Sequence, residues 1–248
     1  MFSLLLHSTP DREDALVARL WEAGTAGIIH STDAIEAFFA DDAPASKLLA
    51  EFADVAPRWR RSPSTDWVAQ THASFPPLLV GRRFFLAPPW SDAPTPPGRL
   101  RLTINPGMAC GTGWHPCTQM CLDALERYLK PGDSVLDVGA GSGILSLAAQ
   151  SLRASRVIAC DVDMDAAAIA AAALPGRVYA GSADASRSAM FDVIAANISA
   201  EAVAALLSEL QRVLKPRGRL ILSGFSRPIA SPPALETLQI EEWLCLVC

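Results

Sequence analysis

Three short segments carry residue types and spacings that could do chemistry. The first, "VLDVGAGSG" (135–143), is an apolar run broken by Gly139, Gly141 and Gly143 and resumed as "ILSLAAQSL" (144–152). That pattern is a strand, a tight loop and a helix, and glycines there remove Cβ atoms where the chain turns sharply and a bulky ligand can lie against the backbone. The second, "RVIACDVD" (156–163), reaches Asp161 eighteen residues beyond Gly143, and a carboxylate at that place can accept both hydrogens of a ribose diol. The third, "FDVIAANIS" (191–199), runs apolar to Asn197. Its amide, with one acceptor oxygen and two donor hydrogens, could orient an incoming amine or contact a ligand; a loop asparagine can also be only a turn-former.

Several ligands compete for the glycine loop. A P-loop is excluded, because no Lys-Ser or Lys-Thr follows the glycines. The dinucleotide fingerprint G-x-G-x-x-G asks for a third glycine where Ile144 stands, and Asp137 on the strand itself is untypical of dinucleotide sites. Asp161 suits nicotinamide enzymes and methyl donors equally. The G-x-G-x-G form after "VLD" tips the choice towards S-adenosylmethionine, whose binding needs no pyrophosphate cradle. Asp137 then either approaches the donor's cationic end, directly or through water, or simply bonds loop amides.

The elements that must position these residues read clearly. From Arg99 onward, strands at 134–138, 156–160, 177–180, 191–196 and 218–223 alternate with helical runs at 117–129, 144–152, 164–173 and 200–213. Apolar strands alternating with helices imply a mostly parallel, doubly wound α/β sheet that binds its ligand outside the carboxyl ends of the strands. Residues 1–60 read instead as βαββαβ, the order of a small ferredoxin-like α+β domain, with Thr9 as N-cap and Pro10 opening the first helix. Between them, five prolines in "APPWSDAPTPP" (87–97) make 61–98 a partly extended, Pro-rich linker, in which Trp67, Phe75, Phe84, Phe85 and Trp90 must still pack on something.

Composition narrows the function classes. Half the chain's residues are hydrophobic, enough for a sizeable core, and no apolar run approaches the length of a membrane span, so a cytoplasmic protein without a membrane partner is expected. The formal charge is −5, and residues 1–60 carry all of that excess, five basic against ten acidic residues. An acidic front end repels nucleic acid, so no direct nucleic-acid site is expected and a basic partner suits it, unless it is merely a solvated surface. The cysteines (110, 117, 121, 160, 245 and 248) show no disulfide-framework spacing; "CLVC" (245–248) has metal-pair spacing but no second pair, and Cys110, His115, Cys117 and Cys121 match no usual zinc pattern, so all are read as free thiols acting as small hydrophobes, with no metal bound.

In order along the chain, "INPGMACGTGWHPCTQMCLDAL" (104–125), "VLDVGAGSGILSLAA", "CDVD", "FDVIAANIS" and "LKPRGRLILSGF" (214–225) resemble the bacterial lysine methyltransferases that modify large-subunit ribosomal protein eleven. "DWVAQTHASFPPLLVGRRFFLAPPW" (66–90) resembles that family's linker, and the βαββαβ start its substrate-recognition domain. The resemblance implies a class I, Rossmann-like methyltransferase domain over 99–248 and S-adenosyl-L-methionine as cofactor. It implies that Thr118, Gly139, Asp161 and Asn197 contact the donor, with Gly141 and Gly143 shaping the loop. Asn197 would also be catalytic, aiming the acceptor amine. The implied reaction is N-methylation of lysine side chains or the N-terminal amine of a basic ribosomal protein, free or on the ribosome. Another protein lysine, a small amine, or donor binding without catalysis are the alternatives. Cys110, Trp114 and Cys117 replace a Phe and two Thr usual in the family, which bears on the substrate more than on the donor, and His115 reads as a brace or a base.

Overall fold

The structure, a computed structural model, describes residues 2–9, 12–31, 34–61, 72–106 and 111–248. The chain divides into two compact units, 1–71 and 72–248.

In the first unit, β1 (Phe2–His7), α1 (Glu13–Glu22), β2 (Gly27–Ser31), β3 (Ala34–Phe39), α2 (Ala45–Glu51) and β4 (Arg58–Arg61) follow in the expected βαββαβ order. The strands form an antiparallel sheet ordered β2-β3-β1-β4. Alternation explains which face is covered: Phe2, Leu4 and Leu6 of β1 and Ile35, Ala37 and Phe39 of β3 point to one side and are buried against Leu16 and Leu20 of α1 and Leu48 of α2. Helix α1 is described from Glu13, after Arg12, so the Pro10 start expected for it lies outside the described residues.

The second unit begins earlier than the composition indicates. Within the stretch expected to be a connector, β5 (Leu78–Val80) and β6 (Phe84–Ala87) join β7 (Leu100–Thr103) in a three-stranded sheet. Val80, Phe84, Leu86 and Leu102 from it are part of the main core. The prolines of 87–97 confine regular structure to short strands, but the aromatic and aliphatic residues before them are buried and cannot act as a loose tether. Residues 62–71, also expected in the connector, lie outside the described residues.

Then come α3 (Pro116–Tyr128), β8 (Ser134–Val138), α4 (Ile144–Ser151), β9 (Arg156–Asp161), α5 (Met164–Ala173), β10 (Val178–Ala180), β11 (Phe191–Asn197), α6 (Ala200–Val213), β12 (Leu214–Phe225), β13 (Glu236–Ile240) and β14 (Trp243–Val247). The strands form a seven-stranded sheet ordered β10-β9-β8-β11-β12-β14-β13. The first five are parallel, and β14 and β13 are antiparallel additions. Strands covered on both faces are mostly apolar, as the middles of β8 (Val135, Leu136) and β11 (Val193–Ala196) are, with polar residues towards their ends. Val135 and Val193 face α3 and α4, while Leu136 and Ile194 face α6. The order reverses between β8 and β11, and at that switch point the carboxyl ends of neighbouring strands leave a crevice. Among the described residues no helix is long and apolar enough to cross a membrane.

Candidate active site

The crevice is built first by the loop after β8. Gly139, Gly141 and Gly143 all have positive φ, 73°, 52° and 77°. At Gly139 glycine is required twice over: the left-handed backbone disfavours any side chain, and a Cβ would collide with Cγ2 of Ile198, the residue after Asn197. The bare backbone thus lets the ends of β8 and β11 close on each other. The Gly139 and Ala140 amides both donate to the Cys160 carbonyl, at 2.9 and 3.1 Å, which ties the loop to β9. Asp161 completes the tie. Its Oδ2 accepts from the Gly141 amide at 2.9 Å and its Oδ1 from the Asp163 amide at 3.0 Å.

Asp137 is turned the other way. It is 1 % exposed, and its Oδ2 accepts from the Ser146 amide at 3.0 Å and the Ser146 hydroxyl at 2.7 Å, in the first turn of α4. Burial pushes its carboxyl up to about 7, against the two Ser146 bonds, which lower it, and with nearby Asp161 adding to the rise. Of the two roles open to it in the sequence, the amide-bonding one is seen: Asp137 fixes the start of α4 beneath the loop.

Thr118 and Asn197 meet. Asn197 Nδ2 donates to Thr118 Oγ1 at 3.2 Å, joining the end of β11 to the first turn of α3. His115 is the N-cap of that helix, its Nδ1 accepting from the Cys117 amide at 3.2 Å, with Pro116 at the first helical position. Its ring packs edge-on against Trp243, the centroids 4.6 Å apart. His115 therefore braces the helix that carries Thr118. Trp114 donates its indole N–H to the Pro76 carbonyl at 2.9 Å and makes an edge contact with Phe75.

Together these elements enclose a cavity of about 450 Å³ walled by Thr118, Gly139, Ile144, Asn197 and Trp243, with His115 at its edge. Thr118, Gly139 and Asn197, expected together, do converge there; Asp161, Gly141 and Gly143 form the loop behind it. Sequence reasoning did not find Trp243, which reaches the site only because β14 folds back beside β12. Nor did it find Ser146 or Ser142, whose hydroxyl donates to the Gly111 carbonyl at 2.6 Å. A serine in a small-residue loop carries no signal of its own. Burial raises Cys117, and Cys121 is raised by its contact with the Cys245 thiol and by burial, so both stay protonated.

The model of the ribosomal protein L11 methyltransferase (PrmA) family matches residues 7–228. The chain belongs to that family. A ribosomal protein L11 methyltransferase of Burkholderia ambifaria (strain MC40-6) is 38% identical over 193 residues, 74% of this chain and 64% of the relative. One of Burkholderia cenocepacia (strain HI2424) is 41% identical over 162 residues, 64% of this chain and 54% of the relative. The chain thus spans under two thirds of the length of these L11 methyltransferases. A solved structure of the ribosomal protein L11 methylase of Lactobacillus delbrueckii subsp. bulgaricus matches with a TM-score of 0.61 and 29% identity, over 69% of this chain and 96% of that one. The sheet order, with its antiparallel β14 between β12 and β13, is that of a class I methyltransferase.

Proposed function

We propose that the chain is an S-adenosylmethionine-dependent N-methyltransferase acting in the cytoplasm on lysine side chains, or the N-terminal amine, of ribosomal protein L11. The observation that carries this reading is the Asn197–Thr118 pair closing one side of a cavity whose other side is bare Gly139. The residues fit the donor. Each Asp161 oxygen accepts one amide and retains a lone pair, enough for the two hydroxyls of a ribose. Val162 and Met164, 80 % and 75 % exposed just beyond it, offer an apolar surface to a flat heterocycle. Gly139 leaves room for the donor's chain at the turn.

When bound, the donor supplies a methyl group on a cationic sulfur, already activated as a leaving group. The amine nitrogen forms a bond to that carbon as the carbon–sulfur bond breaks, and the amine's proton goes to solvent. The protein's task is positioning and exclusion of water, because little acid–base help is needed. Asn197 is the catalytic residue in this scheme: its carbonyl oxygen is left free by the Nδ2 bond to Thr118 and aims the amine. Trp243 and Ile144 keep water from the nucleophile, which must be neutral to attack.

The first unit is the docking domain in this reading. Its excess of acidic residues complements a basic ribosomal protein. The deciding experiment is transfer of labelled methyl groups to purified L11 and to a ribosomal-protein extract, with mass spectrometry to place the label. Label on L11 amines supports the proposal; label elsewhere or none overturns it. Fragment 72–248 should bind the donor but lose transfer to folded L11, and retained activity in that fragment would make the first unit incidental.

A further inference from the structure

At the amino-terminal edge of the seven-stranded sheet, opposite the crevice, six of the fifteen Lys and Arg residues between 72 and 248 come together: Arg127, Lys130, Arg156, Lys215, Arg217 and Arg219. They arrive from separate places. Arg127 lies in the last turn of α3, Lys130 just before β8, Arg156 opens β9, and the other three lie on the first half of β12. Four of them, with Asp133 and Asp192, wall a cavity of about 310 Å³.

Of the two carboxylates there, Asp192 is compensated by a cation and Asp133 is hydrogen-bonded to the backbone. Asp192 Oδ2 accepts from Lys215 at 2.7 Å and from the Ser134 amide and hydroxyl at 2.8 and 2.7 Å, and Asp133 Oδ2 accepts from the Lys130 amide at 2.8 Å. Arg127 is paired with Asp123 and Glu236. Lys130, Arg217 and Arg219 make no ion pair among the described residues. Arg217, exposed on β12, stands at φ 68°, a left-handed conformation uncommon for a residue with a side chain. None of the exposed large apolar side chains among the described residues lines this cavity. A protein partner needs apolar anchors as well as charge, whereas a phosphodiester chain needs only cations, and arginine forks match its oxygens.

We propose that this edge binds the phosphate backbone of RNA. The acidic front of the chain gives no hint of such a site, and the cations are scattered along the sequence; they become neighbours only when parallel strands stack their amino ends. The surface is separate from the crevice, so the inference stands whether or not the proposed methylation is correct.

The test uses the whole chain and a fluorescent single-stranded RNA of mixed sequence, with binding followed by anisotropy over a series of potassium chloride concentrations. Saturable binding is expected, weakening with salt at a log–log slope of about −2 for three engaged cations. The combined variant Lys130→Gln, Arg217→Gln, Arg219→Gln should lose about tenfold or more in affinity and flatten the slope, with its melting temperature unchanged. Because Arg219 Nη1 also bonds the Arg217 and Gly218 carbonyls, the variant Lys130→Gln, Arg217→Gln alone should still lose several-fold. No saturable binding, equal affinity in folded variants, or displacement of RNA by polyglutamate at equal charge would overturn the proposal, the last assigning the edge to an acidic protein.

Discussion

Asn197 and Thr118 stand 79 positions apart in the chain and share a hydrogen bond of 3.2 Å at the wall of the crevice. The bond commits one hydrogen of the Asn197 amide nitrogen to Thr118 and so restrains the orientation of that amide at the wall of the cavity. An interaction that aims the acceptor amine acts mainly in the transition state. Asn197→Ala should therefore lower kcat by about tenfold or more while raising the donor's Kd much less. Thr118→Val should act through the same bond, so the double variant should lose less than the sum of the singles. Additive losses in single-turnover rates would show that Thr118 does not orient the amide.

Asp161 holds the loop and, in the proposed reading, the donor's ribose. Charge-assisted hydrogen bonds to a diol contribute about 1.5 to 3 kcal/mol, so Asp161→Ala should weaken S-adenosylmethionine binding by about tenfold or more. It also loses the acceptors for the Gly141 and Asp163 amides, and so should melt a few degrees lower. Calorimetry on the folded variant checks the first effect; an unchanged Kd would remove Asp161 from the donor site.

Gly139→Ala carries two separable costs. One is the left-handed backbone, about 1 kcal/mol for an alanine, and the other is collision with Ile198 Cγ2. Ile198→Ala removes the obstructing atom. In chemical denaturation the double variant should recover the collision part and keep the backbone part, giving a coupling of opposite sign to Gly139→Ala's own loss. Simple additivity would mean that Ile198 does not close on the loop.

Much of this site was legible in the sequence, for a physical reason. Strands buried on both faces and helices with one apolar stripe announce themselves by period, so β8, β9, β11 and the helices between them fall within a few residues of their expected places. The glycines, Asp161 and Asn197 follow, because all stand at carboxyl ends of those strands. The errors share a different cause. Residues 78–87 were expected in a connector because proline content hides short strands that owe their burial to distant partners. Trp243 was not found because its role depends on an antiparallel strand returning to the crevice. For Asp137, type and position alone leave open whether it meets the donor or bonds amides. Which way a buried carboxyl turns depends on a serine nine residues on, one of many small residues in that loop.

That carboxyl yields a pH-dependent signature. Asp137 has its pKa pushed up to about 7 by burial, and its unfolded value is the ordinary one, about 3.9. Between those two values the folded state keeps a proton that the unfolded state has lost. Stability from this group is therefore fully present below about pH 4 and is lost as pH rises through about 7. Asp137→Asn has the same shape, is neutral at every pH, and can accept both Ser146 bonds through its amide oxygen. Near pH 5 the variant should be no more stable than the parent, which gains from the protonated acid. Near pH 8, where the parent buries a charge, the variant should gain on it by roughly 1 to a few kcal/mol. Melting temperatures of both proteins at pH 5 and pH 8 decide it, since titrating groups distant from Asp137 cancel in the difference. A variant that falls further behind the parent as pH rises would mean that Asp137 is ionised at neutral pH and that its charge stabilises the start of α4 through Ser146.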